Sequence, residues 1–330
     1  EVLRYSSRAS AVGCLGAVLT GEGRPLCCEM WPGDHADGGA LLPVVDRLRQ
    51  RFSASGGALK RVCWVADRGM ISEATIQGLE SRKLEYILGA RMRRQREVKD
   101  EVLGRAGRYH DVADNLQVKE VRVGDRRYIV CHNPQEAVKD AADREAIVRA
   151  LEDRLREGAK ELVGNRGYRR FLRVEKDALT IDAKKIEAEA RYDGRFVLRT
   201  NTTLPADEVA IQYKRLLMVE QFFRLTKSVL ETRPIFHQWD ATIRGHVFCS
   251  FLALVLVDEL QRRLSAKGWK LEWDVIRQDL EALDQVEVRE GEQWYLLRTA
   301  LQGVAGKVLQ AAGVAVPPPV RPAQNVVPRL

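Results

Sequence analysis

The sequence lacks the features that mark secreted, zinc-ribbon and membrane proteins. Its six cysteines form no Cys-x-x-Cys pair, so no zinc or redox motif is visible and free thiols are expected. No signal peptide is found, and the most apolar run, 247–257, is too short to span a bilayer. No phosphate-binding loop, G-x-S-x-G or G-x-G-x-x-G motif occurs in the strand–helix context that it needs. These absences argue against nucleotide hydrolases, α/β-hydrolases and dinucleotide-binding enzymes.

The composition is that of a globular protein with a basic excess. The 330 residues suffice for one large or two ordinary domains, and 45% of them are hydrophobic and 30% charged. A net charge of +8 and a pI of about 9.2 favour a polyanionic partner such as nucleic acid, although a modestly basic enzyme is an equally ordinary outcome. The chain opens on Glu1 without a methionine, so we expect a fragment or the product of a damaged reading frame.

Short apolar runs alternate with helical patterns, which predicts a mixed α/β sheet with helices on its faces. Predicted strands cover 12–20, 25–30, 61–66, 85–89, 116–123, 126–132 and 194–200. Predicted helices cover 39–53, 72–83 (capped by Ser72), 135–162, 205–233, 239–264 and 274–284. Residues 178–190 are either a helix or the end of a hairpin, and 285–299 are a hairpin. The first half of the helix over 239–264 is apolar on nearly all sides, which predicts that it is buried.

Asp67 directly follows the apolar run 61–66. Open α/β sheets commonly place their functional sites just past the carboxyl ends of buried strands. A turn or helix-capping aspartate is an alternative of equal weight on these grounds alone.

The stretch from Tyr213 to Lys227 carries a second pattern. Tyr213, Glu220 and Lys227 are spaced seven apart, which is about two turns of a helix with about 3.6 residues per turn, so all three share one face. A phenol, a carboxylate and an ammonium in a row suit a site for metal and phosphate. From spacing alone, an amphipathic surface helix with scattered charges is the favoured interpretation.

The two stretches together resemble the bacterial DDE-type insertion-sequence transposases with a Tyr-Arg-Glu-Lys signature. In that signature two residues separate Tyr from Arg, three separate Arg from Glu, and six separate Glu from Lys. Tyr213, Glu220 and Lys227 fit this pattern, whereas Leu216 stands at the arginine position. The block Trp64-Val-Ala-Asp67-Arg-Gly69 resembles the surroundings of the family's second aspartate. Later stretches also resemble the family: Arg233-Pro-Ile-Phe-His237 and Arg244-Gly-His246.

The resemblance covers roughly residues 10–265 and implies an RNase H-like catalytic core, a mixed sheet flanked by helices and interrupted by an α+β insertion. We predict that 1–90 form the first part of this core, without its first strand, and that 91–190 form the insertion. Residues 191–265 would complete the core with the Glu220 helix. Residues 266–310 would form a helical and hairpin region, and 311–330 a disordered tail.

The resemblance also implies chemistry. Family members cleave phosphodiester bonds and transfer DNA strands at element ends, with Mg²⁺ or Mn²⁺ held by two aspartates and a glutamate. By this resemblance Asp67 and Glu220 are catalytic metal ligands, Lys227 contacts a phosphate near the scissile bond, and Tyr213 orients the glutamate or touches the DNA backbone. The implied partner is double-stranded DNA, at transposon ends and target, with no membrane. A homodimer is left open, and a cytoplasmic, nucleoid-associated location in bacteria is expected.

Basic and histidine side chains are further candidates for DNA binding. The cluster at 91–96 predicts either a DNA-backbone patch or, with equal weight, a solvated loop. The candidates are Arg91, Arg93, Arg94, Arg96, Arg215 and His237. For His237 a packed, hydrogen-bonded histidine is the favoured alternative. His237 and His246 are predicted to lie on opposite sides of the helix start, which argues against a shared metal.

The family's first aspartate has no counterpart in residues 1–10. Asp34 and Asp37 follow the second predicted strand, and we interpret them as structural. The sequence therefore predicts an N-terminally truncated transposase with impaired activity. The alternatives are a non-enzymatic DNA-binding remnant of the same fold and another RNase H-like nuclease without strand transfer.

Overall fold

The computed structural model describes residues 2–6, 12–32, 37–54, 62–156, 168, 170–175, 178–217 and 235–322. The chain divides into two compact units. The first is Glu1–Val2 with Asp34–Met218, and the second is Leu3–Gly33 with Val219–Leu330.

The first unit is built on a six-stranded mixed sheet. Its strands are β4 (Cys63–Ala66), β5 (Glu85–Gly89), β6 (His110–Ala113), β7 (Leu116–Val123), β8 (Arg126–His132) and β11 (Arg195–Thr200). Their order across the sheet is β4-β5-β11-β8-β7-β6. β4 and β5 run parallel, whereas β11 is antiparallel to both of its neighbours, with Leu198 opposite Gly89 on one side and Ile129 on the other.

Helices and apolar side chains cover this sheet. The α-helices in the described part of the unit are α1 (Asp37–Ala54), α2 (Glu73–Ser81), α3 (Pro134–Arg156), α4 (Ala183–Ala190) and α5 (Ala206–Lys214), and Val98–Val102 form a short π-helix. On one face Ile87, Ile129 and Leu198 pack against Val209 and Ala210 of α5. Because successive strand residues point to opposite faces, their neighbours build a second core on the other face. That core includes Met92, Val98, Val102, Tyr128, Val130 and Val197.

This architecture confirms the predicted fold class, because a mixed sheet with helices on its faces is consistent with an RNase H-like fold. The predicted cap of α2 is also confirmed, since the Ser72 hydroxyl accepts a hydrogen bond from the Thr75 amide at 3.0 Å.

The range 91–190 contributes both to the sheet and to a small core of its own. β6, β7 and β8 extend the six-stranded sheet, and β7 and β8 form the predicted hairpin around Gly124. Further along, β9 (Leu172–Glu175) and β10 (Ala178–Ile181) pair with each other, and Leu151 of α3 packs on Phe171 and Leu172. The range 178–190, left open by the sequence, is both β10 and α4. The domain boundaries stay a prediction.

The second unit contains a three-stranded sheet, β1-β2-β3, with β1 at Val2–Ser6, β2 at Val12–Leu19 and β3 at Pro25–Pro32. β2 and β3 form the predicted hairpin, which the Thr20 amide closes by donating to the Arg24 carbonyl at 2.8 Å. The predicted strands did not include β1, which joins the sheet ahead of this hairpin.

The long helix α6 (Asp240–Ala266) buries one face only, which corrects the prediction that its first half is buried on nearly all sides. Its buried residues are Ile243, Val247, Phe251, Leu254, Val257 and Leu264. The opposite side exposes Phe248 by 54%, Leu252 by 45% and Leu256 by 71%. Composition alone misled the prediction, because helical spacing and not average hydropathy decides which side is covered.

α6 also meets the length and composition criteria for a membrane span, with 27 residues and a mean hydropathy of 1.5 over an 18-residue window. It carries an ion pair near its end, between Glu259 and Arg24 at 3.3 Å, and Arg262 donates to the Glu22 carbonyl at 2.9 Å. One helix of this kind does not indicate a membrane protein.

The C-terminal part forms a second three-stranded sheet beside a small helical core. β12 (Gln285–Glu290) and β13 (Gln293–Arg298) form the predicted hairpin, and β14 (Val320–Pro322) pairs with β13. The core joins α6 to two short helices, α7 (Trp273–Glu281) and α8 (Ala305–Ala312).

Residues 311–322 differ from the disordered tail that the sequence predicted. The Arg298 amide and guanidinium donate to the carbonyls of Pro319 and Pro317, at 2.8 and 3.0 Å. Prolines lack the amide hydrogen but keep the carbonyl, so an arginine can hold an extended proline segment. Residues 323–330 lie outside the described residues.

Candidate active site

Asp67 lies on the turn between β4 and α2. The Met70 amide donates to the Asp67 carbonyl at 3.0 Å, and Ile71 is buried directly before the α2 cap. Since β4 and β5 are parallel, their carboxyl ends reach the same edge of the sheet, and the exposed Asp67 stands at that edge. The sequence placed Asp67 correctly at the end of a strand.

The Tyr213 hydroxyl donates a hydrogen bond to Asp67 Oδ1 at 2.9 Å. Tyr213 follows Val209 and Ala210 on the buried side of α5, and its ring stacks on Phe196 of β11, with centroids 5.8 Å apart and an interplanar angle of 24°. The structure therefore brings together two residues that the sequence singled out in blocks 146 positions apart.

The phenol of Tyr213 acts as a donor in this contact. Burial raises the pKa of Tyr213, and the neighbouring Asp67 carboxylate raises it further. The hydroxyl therefore keeps its proton at neutral pH. A fixed donor on Oδ1 sets the orientation of the carboxylate and therefore the direction in which Oδ2 points.

Gly89 makes this contact possible. A Cβ on Gly89 would collide with the Tyr213 hydroxyl and would lie 3.0 Å from the Arg68 amide nitrogen. Only glycine leaves room for both neighbours at the end of β5. Sequence reasoning missed this residue, although a glycine closing an apolar strand can signal a close approach.

Arg91 also forms hydrogen bonds to the turn that carries Asp67. Its guanidinium donates from Nε to the Arg68 carbonyl and from Nη2 to the Gly69 carbonyl, each at 3.0 Å. Arg91 is one of the DNA-binding candidates predicted from the sequence, and this pair of internal bonds was not expected.

The other predicted DNA-binding arginines differ in their surroundings. Arg93 pairs with Glu189 at 3.0 Å and lies over the Tyr192 ring, 4.6 Å from its centroid. Arg96 is 95% exposed and lies 3.6 Å from Asp100. Arg94 and Arg215 are exposed too. Their contacts with DNA stay predictions.

His237 lies in the second unit, next to His246. Their ring centroids are 5.5 Å apart, so the prediction that they lie on opposite sides is wrong. α6 begins only at Asp240, so His237 is on the segment before it and helical spacing does not apply. The DNA contact proposed for His237 stays a prediction.

α5 ends before the rest of the predicted signature. It stops at Lys214, and the Leu216 amide donates to the Tyr213 carbonyl at 2.9 Å in the turn that follows. The prediction of one unbroken helix over 205–233 is therefore wrong, because a turn ends it without a glycine or proline to mark the place. Glu220 and Lys227 lie outside the described residues.

A divalent metal fits the chemistry of the Asp67 carboxylate, because Mg²⁺ prefers oxygen ligands. Within the described ranges, no group of three or more His, Cys, Asp or Glu side chains could hold a metal ion. Asp34 is outside those ranges, as is Glu220, and Asp37 is the first residue of α1.

Comparison with known families identifies the class of this chain. The family described as "Transposase DDE domain" matches residues 10–256, which is most of the chain. The chain therefore belongs to the DDE transposases, enzymes that act on DNA, generally with divalent metal ions, and that are typically cytoplasmic. A comparison with curated proteins finds no match.

Proposed function

We propose that this chain is an insertion-sequence transposase of the group with the Tyr-Arg-Glu-Lys signature. It would cleave phosphodiester bonds at element ends and transfer the strands to a target. The observation that carries the proposal is the hydrogen bond from Tyr213 to Asp67, because it joins the first residue of the signature to the proposed second aspartate. The departure at Leu216 leaves three of the four signature residues in register.

In the proposed mechanism each residue has a separate task. By the family resemblance Asp67 and Glu220 would hold Mg²⁺ or Mn²⁺, which would supply activation of the attacking hydroxyl and charge neutralisation at the leaving oxygen. Tyr213 orients the Asp67 carboxylate through Oδ1, and Lys227 binds a phosphate near the scissile bond as a point charge. Residues 1–10 contain no counterpart of the family's first aspartate, and on this ground we propose that cleavage is weak.

The proposed substrate is double-stranded DNA, in the bacterial nucleoid. The net charge of +8 favours a polyanion, and Arg94 and Arg96 expose their side chains in the segment that follows β5. A homodimer that pairs two element ends is part of the proposal and is tested by sedimentation with and without DNA.

The test is magnesium-dependent nicking of a supercoiled plasmid that carries candidate element ends, with Glu220→Gln beside the unchanged chain. Nicking that disappears in the variant, together with joined strand-transfer products, is the expected result. Nicking without joined products would indicate a nuclease. Salt-sensitive DNA binding without nicking would indicate a DNA-binding remnant. The lack of a counterpart for the family's first aspartate favours this alternative.

Tyr213→Phe is expected to slow nicking about ten- to a hundredfold while the protein stays folded. The variant keeps the ring that stacks on Phe196 but loses a hydrogen bond to a charged group, worth about 1.5–3 kcal/mol, and about 1.4 kcal/mol corresponds to a tenfold change in rate. Initial nicking rates measure the effect. Tyr295→Phe is the matched control, because that hydroxyl bonds only its neighbour Gln293 among the described residues. Equal rates for both variants would show that Tyr213 does not orient Asp67.

A further inference from the structure

We propose that Arg91 is a positioning residue, which fixes the turn that carries Asp67, and that its side chain is not a DNA contact. This inference rests on the proposed function only where it concerns metal binding and cleavage. The part that concerns the turn can be tested on the protein alone.

The guanidinium of Arg91 holds two successive carbonyls. Nε donates to the Arg68 carbonyl and Nη2 to the Gly69 carbonyl, each at 3.0 Å. These are the two residues directly after Asp67. A planar guanidinium presents its N–H groups in a rigid fork, so both bonds fix the direction of the turn as well as its distance from β5.

Gln95 fixes the backbone of Arg91 through two hydrogen bonds. Its amide donates to Gln95 Oε1 at 3.0 Å, and its carbonyl accepts from the Gln95 amide at 2.9 Å. The side chain thus extends from a braced turn, two residues past Gly89 at the end of β5. A guanidinium commonly binds a phosphate through two parallel N–H groups, and the Nε–Nη2 edge of Arg91 is already used by the two carbonyls.

The Asp67 turn is therefore held both through its side chain and through its backbone. Tyr213 holds the carboxylate through Oδ1, and Arg91 holds the backbone that follows it. Ligand-supporting contacts of this kind typically change metal affinity or activity by about 10–100-fold when they are removed. Arg91 would thus influence the metal site without touching the metal or the DNA.

Arg94 provides a matched comparison on the same turn. It is exposed, and no hydrogen bond or ion pair of its side chain is found within the described residues, so the same loss of charge there leaves the Asp67 turn intact. Arg91→Lys is the most informative variant, because it keeps the charge but replaces the fork by a single compact ammonium. Melting temperatures of all variants show whether each one folds.

Hydrogen–deuterium exchange of the peptide covering 63–72 is the deciding measurement. Arg91→Lys and Arg91→Ala are expected to exchange about tenfold faster or more in this peptide, because a local opening that loses support exchanges more often. Arg94→Ala is expected to leave it unchanged. Equal exchange in the wild type and in folded Arg91→Lys would overturn the proposal.

Binding measurements then separate the two roles. Arg91→Lys should weaken Mn²⁺ binding, measured by calorimetry, about 10–100-fold and leave the Kd for duplex DNA within about twofold. Arg94→Ala should weaken DNA binding and leave Mn²⁺ binding unchanged. A loss of DNA affinity in Arg91→Lys as large as in Arg94→Ala would assign Arg91 to DNA. If Asp67→Asn nicks DNA normally, the proposed function fails, while the exchange result still decides the role of Arg91.

Discussion

Asp67→Asn is expected to lower magnesium-dependent nicking about a thousandfold or more while DNA binding persists. A metal ion stabilises the charge of the transition state by several kcal/mol, and each 1.4 kcal/mol or so is a factor of about ten in rate. The amide of asparagine keeps the size of the side chain and can still accept from Tyr213, but it removes the negative charge that holds the cation. Nicking rates and DNA affinity, measured on the same preparation, test this expectation.

Asp153→Asn is the control for the loss of one negative charge. Asp153 is 72% exposed on α3 and pairs only loosely with Arg156, at 3.6 Å. The Asp153→Asn variant should nick the plasmid at the same rate as the unchanged chain. Undiminished nicking by Asp67→Asn would refute the assignment of Asp67 as a metal ligand, whatever the sequence resemblance.

Gly89→Ala is expected to reduce both stability and nicking. Its Cβ would meet the Tyr213 hydroxyl and lie 3.0 Å from the Arg68 amide nitrogen, so either Tyr213 or the Asp67 turn has to move. Overpacking of this kind typically costs about 1–3 kcal/mol. Because the displaced groups orient Asp67, nicking should fall by more than the loss of folded protein explains. Thermal unfolding and nicking rates together separate the two effects.

Gly245→Ala is the matched control for this substitution. Gly245 lies inside α6, and an added Cβ there would meet nothing within 4 Å. Alanine in an exposed helix interior is favoured over glycine by about 0.5–1 kcal/mol, so this variant should be as stable as the parent or more so. If Gly89→Ala behaves in the same way, the close approach of Tyr213 to β5 does not matter in solution.

Features set by local chemistry could be predicted from the sequence. The Gly-Glu-Gly-Arg turn between β2 and β3, the Ser72 cap of α2 and the position of Asp67 after β4 each depend on a few neighbouring residues, and the structure has all three. The family could also be identified, because two motifs in the expected order carry more information than either alone.

Features set by distant contacts could not be predicted in the same way. The resemblance implies that Tyr213 orients the glutamate or touches DNA, and this stays a prediction. The hydrogen bond from its hydroxyl to Asp67 was not expected, because it depends on how α5 packs over the sheet. Gly89 and Arg91 were missed or assigned elsewhere for the same reason. The end of α5 at Lys214 and the pairing of the proline-rich segment at β14 also follow from tertiary contacts that no local pattern encodes.

The place of β11 in the sheet affects how the protein can be synthesised. β11 joins the β4–β5 pair to the β8-β7-β6 strands, although it follows β8 by more than sixty residues. Until the ribosome has released β11, β5 and β8 each keep an unpaired edge, and open edges are prone to wrong pairing. At roughly 5–20 residues per second this interval lasts on the order of several seconds. Nascent chains should therefore need chaperone protection in this interval, and messages that stop before residue 195 should yield insoluble protein.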